Sequence, residues 1–406
     1  MSRHGKPVAR GSESRTPRVI EKQKDLEALC RELATRGAFA LDTEFVRERT
    51  FFIQLGIVQV SAGDLEAVID PQPLSSLEPL FELVAAPEVE KIVHAGEQDF
   101  AVLYEEGGAV PRNVFDTQIA AALVGYGDQI SYARLVGKVT GVQLDKLETL
   151  TDWTARPLTE AQIDYSLEDV RYLPEVRRHL GERLSELGRS GWEREEGSRL
   201  ESDSTYRAPE PREFYRRLKA SGLSAVSLGV LREVAAWREE TARAKNLPRG
   251  WVLRDQSLLE IARRRPQSVK SLRQIRSLKP QQIAKDGEAI VDAVRAGAAE
   301  PMKEDRPDTP HLKMPDEVES TARLLEAWLY ARAAEAEIAP SMLATRGDLK
   351  TLAAAHYHSQ LPSLPLLEGW RRELVGQDLL DILEGRKALK LDGQKGKLEA
   401  IDVEKE

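Results

Sequence analysis

Cysteine is nearly missing: Cys30 is the single one in 406 residues. That excludes an intramolecular disulfide framework and every CxxC metal or redox motif, and it fits a reducing, cytoplasmic compartment. No run of 18 apolar residues occurs, so no transmembrane helix is expected. Residues 1–17 are polar and basic, without the apolar stretch of a secretory signal, and read as a disordered basic arm. Aromatic residues make up only 6%. What is present is a charge-rich globular composition, 41% apolar and 31% charged, long enough for about two to three domains.

The net charge of −8 hides a partition. Residues 1–210 hold 25 basic and 37 acidic side chains, residues 211–298 hold 19 and 9, and residues 299–406 hold 15 and 21. A basic middle segment between acidic neighbours suits a module that grips a polyanion. A solvated, Arg-rich helical surface would give the same count.

Between residues 18 and 205, short apolar runs alternate with helical patterns. Ala38–Leu41, Ile53–Val60, Leu65–Ile69, Lys91–His94 and Asn113–Phe115 read as strands. Together they predict an α/β domain with a mixed central sheet and flanking helices. Ser198–Pro211, rich in Ser, Glu, Arg and Pro, reads as a linker. From Arg212 on, β signals nearly vanish. Leu228, Leu231, Val234, Ala235 and Trp237 lie on one helix face. Glu300–Pro315, with four prolines, interrupts the pattern, and Ala322, Leu325, Leu329 and Ala333 restart it. Residues 212–298 and 316–391 thus predict two all-α bundles, a weak internal repeat with a central Trp in each first helix (Trp237, Trp328). Residues 392–406 read as a frayed, charged tail.

Three sets of residues could carry chemistry. Asp42-Thr43-Glu44 follows an apolar run, and strand geometry puts the two carboxylates on one face. They repel there unless a hard cation such as Mg²⁺ or Mn²⁺ lies between them; an edge strand with solvated acids would look the same. Asp99 falls where a strand ending near His94 turns through Gly96 into a helix, and could equally be a helix-start acid. Tyr165-Ser-Leu-Glu-Asp169 lies in a helical stretch, Glu160 to Arg178, with Tyr165 and Asp169 one turn apart on one face.

Their order is more specific than any one of them. D-x-E, an Asp 55 residues after the Glu, and Y-x-x-x-D beginning 66 residues further on follow the pattern of DEDD exonucleases with the tyrosine variant. Residues 20–200 closely resemble bacterial ribonuclease D. The stretches that carry this are Leu41–Thr50, Gln54–Val60, Val93–Asp99, Phe115–Ala121, Asp152–Leu158 and Tyr165–Leu173. Leu231–Ile275, with Trp237-Arg238, Asn246-Leu-Pro248 and Leu258-Leu-Glu-Ile-Ala262, resembles an HRDC domain, and residues 316–391 resemble a diverged second copy.

The resemblance implies a ribonuclease H-like α/β exonuclease domain (18–205) followed by two HRDC-type helical bundles. It implies a monomeric 3′-5′ exoribonuclease that trims RNA, tRNA precursors with 3′ trailers being the expected substrates, and releases nucleoside 5′-monophosphates. Two divalent ions, Mg²⁺ or Mn²⁺, would be the cofactors, with no organic cofactor and no membrane partner. Asp42 would bridge both ions, Glu44 and Asp169 would complete one, Asp99 would hold the other, and Tyr165 would orient the attacking water. Arg47, Gln59 and Trp153 could seat the RNA, and Arg263, Arg264, Arg265 and Arg273, with Lys270, Arg276 and Lys279, could contact phosphates. Asp116 is expected to be a helix cap near the site rather than a ligand. The rival readings are a catalytically weak RNA-binding scaffold, a DNA-directed DEDD exonuclease and a hydrolase of small nucleotides. A RecQ-type helicase would share the HRDC segment, but no G-x-x-x-x-G-K-[ST] phosphate loop is present.

Overall fold

The computed structural model describes residues 18–144, 152–302, 316–358 and 361–403. The expected basic arm, residues 1–17, and nearly all of the Pro-rich interruption lie outside these.

A six-stranded mixed sheet organises the first domain. Its strands are β1 (Arg18–Ile20), β2 (Ala38–Val46), β3 (Gln54–Ala62), β4 (Leu65–Ile69), β5 (Glu90–Val93) and β6 (Val114–Asp116), in spatial order β1-β4-β3-β2-β5-β6. β2, β3 and β4 form an antiparallel meander, while β5 and β6 continue parallel to β2. β2 and β3 read as nearly continuous apolar runs because both faces of the sheet are covered. On one face, α1 (Gln23–Arg36), α2 (Glu78–Ala85) and α3 (Glu97–Gly107) enclose a core built on Phe39, Leu41, Val58, Val60 and Ile69. On the other, following α4 (Thr117–Leu123) and α5 (Tyr132–Thr140) in the chain, α6 (Glu160–Arg171) covers Ala40, Ile57, Val68 and Ile92 with Leu167 and Val170. The same strands carry the acidic residues on this second face.

The helical stretch expected over 160–178 is two helices. α6 ends at Arg171 and α7 runs from Leu173 to Glu186, because Pro174 has no amide hydrogen to continue the ladder and sits in the first turn of the new helix. The expected linker at 198–211 is instead part of the first domain. Leu200 is buried in the sheet's core, Tyr104 donates to Asp203, and Glu201 accepts from the Val114 amide. Its charge masked one apolar anchor and several polar ones.

The first helical module packs Ala225–Ala244 against Pro280–Ala299. The two backbones cross so closely that a Cβ on Gly229 would lie 2.4 Å from the Gly297 carbonyl oxygen. The second module, with helices Asp316–Glu335 and Arg346–Tyr357, shares one core with the exonuclease domain. Leu325, Trp328, Leu349 and Leu379 pack in the same cluster as Phe115, Leu135, Val176 and Leu180. Arg189 bonds the carbonyls of Leu123 and Ala336 across the junction, and Trp192 stacks on Trp370 with centroids 4.6 Å apart.

The expected frayed tail is also corrected. Lys387–Asp392 pairs antiparallel with Lys397–Asp402 in a hairpin, with Leu389, Leu398 and Ala400 against the shared core. The segment's charge concealed a two-residue apolar alternation.

Candidate active site

The acidic residues meet at the end of β2, where the sheet leaves an edge open. β5 pairs with β2 only along Ala38–Ala40, so beyond that point β2 has a strand neighbour on the β3 side alone. Asp42 and Glu44 project there toward α6, which brings Asp169 to the same place. One carboxylate oxygen from each of Asp42, Glu44 and Asp169 lies within 4.8 Å of the other two.

Asp99 arrives from the other side. It stands in the first turn of α3, and its Oδ1 accepts from the Thr43 amide at 3.0 Å and from the Thr43 hydroxyl at 2.5 Å. It thereby satisfies an edge donor that β5 does not reach. The turn that presents Asp99 is held by Asp116, which accepts from the amides of Ala95 and Gly96 and caps the helix Thr117–Leu123 through Gln118 and Ile119. Asp116 is the structural cap the sequence suggested. His94 is likewise structural, bonded to Thr117 and to the Ile130 carbonyl.

Burial and crowding dominate the electrostatics. Burial, then the charges of Asp99, Asp169 and Glu44, pushes the Asp42 carboxyl well above its ordinary range. Burial and the neighbouring Asp169 and Asp99 charges push Glu44 up to about 8. Burial raises Asp169 to about 7, with Glu168 and Asp99 adding to it. Asp99 rises to about 6 through burial, against the opposing bonds from Thr43. The cluster therefore holds protons near neutrality when nothing positive compensates it. Four carboxylates, with no thiolate or imidazole among them, suit hard oxygen-seeking divalent ions such as Mg²⁺ or Mn²⁺. The residues fit the metals that the resemblance implies.

Tyr165 lies one turn before Asp169. Burial, with the charges of Asp169, Glu44 and Asp42, raises its phenol to about 12. Its ring stacks on Trp153, with centroids 6.2 Å apart and planes 26° off parallel. Trp153 is a core residue, 5% exposed, which supports Tyr165 rather than offering its face to RNA. The loop around it closes on β3 because Gly56 has no side chain. A Cβ there would lie 2.6 Å from the Trp153 Cβ and 2.9 Å from the Glu44 carbonyl oxygen. Arg156 pins the loop, donating to Asp70, to the Trp153 carbonyl and to the Gly56 carbonyl.

Gln59 does not reach RNA either, since it is fully buried. It faces Asp42 across the β2–β3 pair, and its Nε2 donates to Asp42 Oδ2 at 3.1 Å. Its Oε1 is buried without a partner. The signal was legible in principle, as a lone amide in the apolar run Ile57-Val-Gln-Val60, but sequence reasoning assigned it outward. Thr43 and Arg156 were missed for a plainer reason: their partners, Asp99 and Asp70, are 56 and 86 residues away.

Arg47 is exposed and lines a cleft of about 460 Å³ with Glu44, Arg49, Gln54, Asp152 and Trp153, at the mouth of the acidic cluster. Arg263, Arg264, Arg265 and Arg273 are exposed on the first helical module, apart from the cluster, as are Lys270, Arg276 and Lys279. Of these, Arg264 is paired, with Glu260.

The comparisons with known proteins agree with this geometry. A family described as 3′-5′ exonuclease matches residues 17–185, and the HRDC domain family matches residues 227–294. Ribonuclease D of Granulibacter bethesdensis is 38% identical over 402 residues, covering 96% of this chain and 99% of its own. Ribonuclease D of Pseudomonas paraeruginosa is also 38% identical, covering 90% and 97%. The crystal structure of Escherichia coli RNase D superposes with a TM-score of 0.81 at 29% identity, over 91% of this chain and 99% of that one. The catalytic core of RRP6 from Trypanosoma brucei, 22% identical with a TM-score of 0.57 over 71% of this chain and 81% of its own, shares the fold. With a mixed sheet that gathers these carboxylates and an HRDC module behind it, the chain belongs to the ribonuclease D family, an exonuclease domain followed by a helical HRDC region.

Proposed function

We propose that this protein is a cytoplasmic enzyme that shortens RNA from its 3′ end by phosphodiester hydrolysis, with precursors of tRNA that carry 3′ trailers as its substrates and nucleoside 5′-monophosphates as products. The observation that carries the reading is the convergence of Asp42, Glu44 and Asp169 within 4.8 Å, with Asp99 tied to the same strand. The solved Escherichia coli relative is described as an exoribonuclease involved in structured RNA processing, which supports the RNA assignment.

Asp42, Glu44, Asp99 and Asp169 are the residues that would hold two divalent ions, Mg²⁺ or Mn²⁺. When bound, such a pair supplies acidity to the attacking water and positive charge to the leaving oxygen. The protein's part is placement. Gln59 fixes the orientation of Asp42, and Thr43 that of Asp99. Tyr165, whose phenol stays protonated at pH 7, orients the nucleophilic water by hydrogen bonding rather than by taking its proton. Arg47 meets the backbone of the bound strand in the cleft. The exposed Arg263, Arg265 and Arg273 hold phosphates further from the site, giving affinity without sequence preference.

The test is a time course on a 3′-tailed tRNA and a matched single-stranded DNA, with Mg²⁺, Mn²⁺ or a chelator. Stepwise 3′ shortening of the RNA to 5′-monophosphates, only with cation, is expected. Cleavage in chelator, internal cuts, or preference for DNA would refute the reading.

A further inference from the structure

Across the exonuclease domain and the first helical module, the exposed large hydrophobic side chains among the described residues are Phe52, Leu187 and Trp251. The two aromatic ones flank a single seam. There the loop between β2 and β3 meets the turn Arg249–Val252. Asn246 Oδ1 accepts from the Phe51 and Phe52 amides at 3.0 and 3.1 Å. The Arg249 guanidinium lies 4.6 Å from the Phe51 ring centre and 5.1 Å from that of Phe214, and also bonds the buried Glu239. Phe51 and Phe52 meet edge to face at 5.1 Å.

These contacts hold the backbone of the seam firmly, yet they leave two rings in water. Trp251 is 62% exposed and Phe52 39%, while the residues following Trp251, Val252 and Leu253, are buried and anchor it. An indole so placed contributes little to the core. The loop that carries Phe52 begins at Arg47 and Arg49, which line the cleft beside Glu44. The seam is therefore continuous with the active site. It also carries cations: Arg47, Arg49 and Arg243, the last over the Phe51 ring at 5.8 Å, are exposed and form no salt bridge with a described carboxylate. Glu48 lies between Arg47 and Arg49 in the cleft lining, and Glu105 and Asp152 are the acids whose charge these arginines stabilise. Aromatic faces interleaved with unpaired arginines are what a single strand of nucleic acid binds, bases on the rings and phosphates on the cations.

We propose that Phe52 and Trp251 form a base-stacking platform for single-stranded RNA, a binding site between the first helical module and the active-site loop that holds the strand as it enters the cleft. This rests on the RNA reading above. The platform makes the first helical module a contributor to substrate binding through stacking, in addition to the phosphate contacts of its basic face.

The test uses the full chain with Phe52→Ala, Trp251→Ala and Trp251→Phe. Substrates are an oligoribonucleotide of about 12 residues, within the usual span of such sites, and a dinucleotide too short to cross the seam. For the longer substrate, KM should rise about tenfold in each alanine variant and remain raised at high salt, while Trp251→Phe stays near wild type. Turnover of the dinucleotide should be unchanged. In chelator, the longer RNA should quench tryptophan emission, and Trp251→Phe should lose most of that quenching, because Trp153, Trp328 and Trp370 are at most 6% exposed and Trp192 and Trp237 are only partly exposed. An unchanged KM in both alanine variants, quenching undiminished in Trp251→Phe, or an equal loss on the dinucleotide would overturn the platform. Wild-type protein that neither binds nor shortens RNA would instead refute the parent reading, and the platform with it.

Discussion

Gln59 offers a perturbation whose effects on folding and on activity separate. Its Nε2 donates to Asp42 Oδ2 at 3.1 Å, and its Oε1 is buried without a partner. Gln59→Leu keeps most of the volume and removes both atoms. With a divalent ion keeping Asp42 ionised, losing its hydrogen bond costs about 1.5–3 kcal/mol, and removing a buried, unsatisfied oxygen returns about 1–3 kcal/mol. The two terms nearly cancel, so the denaturation midpoint should barely move. Function should not be spared. Asp42 would lose the bond that fixes its carboxylate, and supports of this kind are worth about 10–100-fold in metal affinity or activity. The assay is RNA shortening across a Mn²⁺ titration, alongside chemical denaturation. Gln59→Glu, which places a carboxylate against Asp42, should be worse in both readouts. Wild-type activity and metal dependence in Gln59→Leu would refute the reasoning. So would a large loss of stability with activity intact, since Gln59 would then serve packing alone.

Other outcomes follow from the same geometry. Asp42→Asn should abolish hydrolysis while RNA binding, measured by filter retention, persists. Tyr165→Phe should slow turnover about 10²-fold, within the range of positioned proton-handling groups, with metal affinity nearly unchanged; an equal fall in affinity would make Tyr165 structural. Because Asp99, Asp169 and Glu44 are raised to about 6, 7 and 8, the metal-free fold binds more protons than the unfolded chain. The cluster's contribution to stability should be greatest near pH 4 and fall as pH rises to 8, and Mg²⁺ should restore it most at the high end. Replacing Arg263, Arg265 and Arg273 by Gln should weaken RNA binding and flatten its log–log salt slope by about 2. These substitutions belong in the full chain: cutting after Ser202 would strip Leu325, Trp328 and Leu349 from a core that Phe115 and Leu135 share.

What was legible in the sequence was local. Asp42 and Glu44 share a face because strand periodicity requires it, and Tyr165 and Asp169 share one because helix periodicity does. The order of these motifs named the family. What was illegible depended on where β5 stops. The edge it leaves open explains why Asp99 bonds Thr43, and no local pattern encodes it. Gln59 and Trp153 were assigned to RNA because a polar amide and an indole suit that role. Only tertiary packing shows that they face inward, one onto Asp42 and the other onto Tyr165. The second module read as a separate bundle, since its apolar residues do not reveal that many of their partners lie in α7 and the helices before it.

Calorimetric titration of Mn²⁺ at pH 7, in two buffers of different ionisation heat, tests the acidic cluster most directly. Two ions per chain should bind with release of protons from the raised carboxylates, and Asp42→Asn should lose both binding events. Binding without proton release, or binding that survives Asp42→Asn, would contradict it.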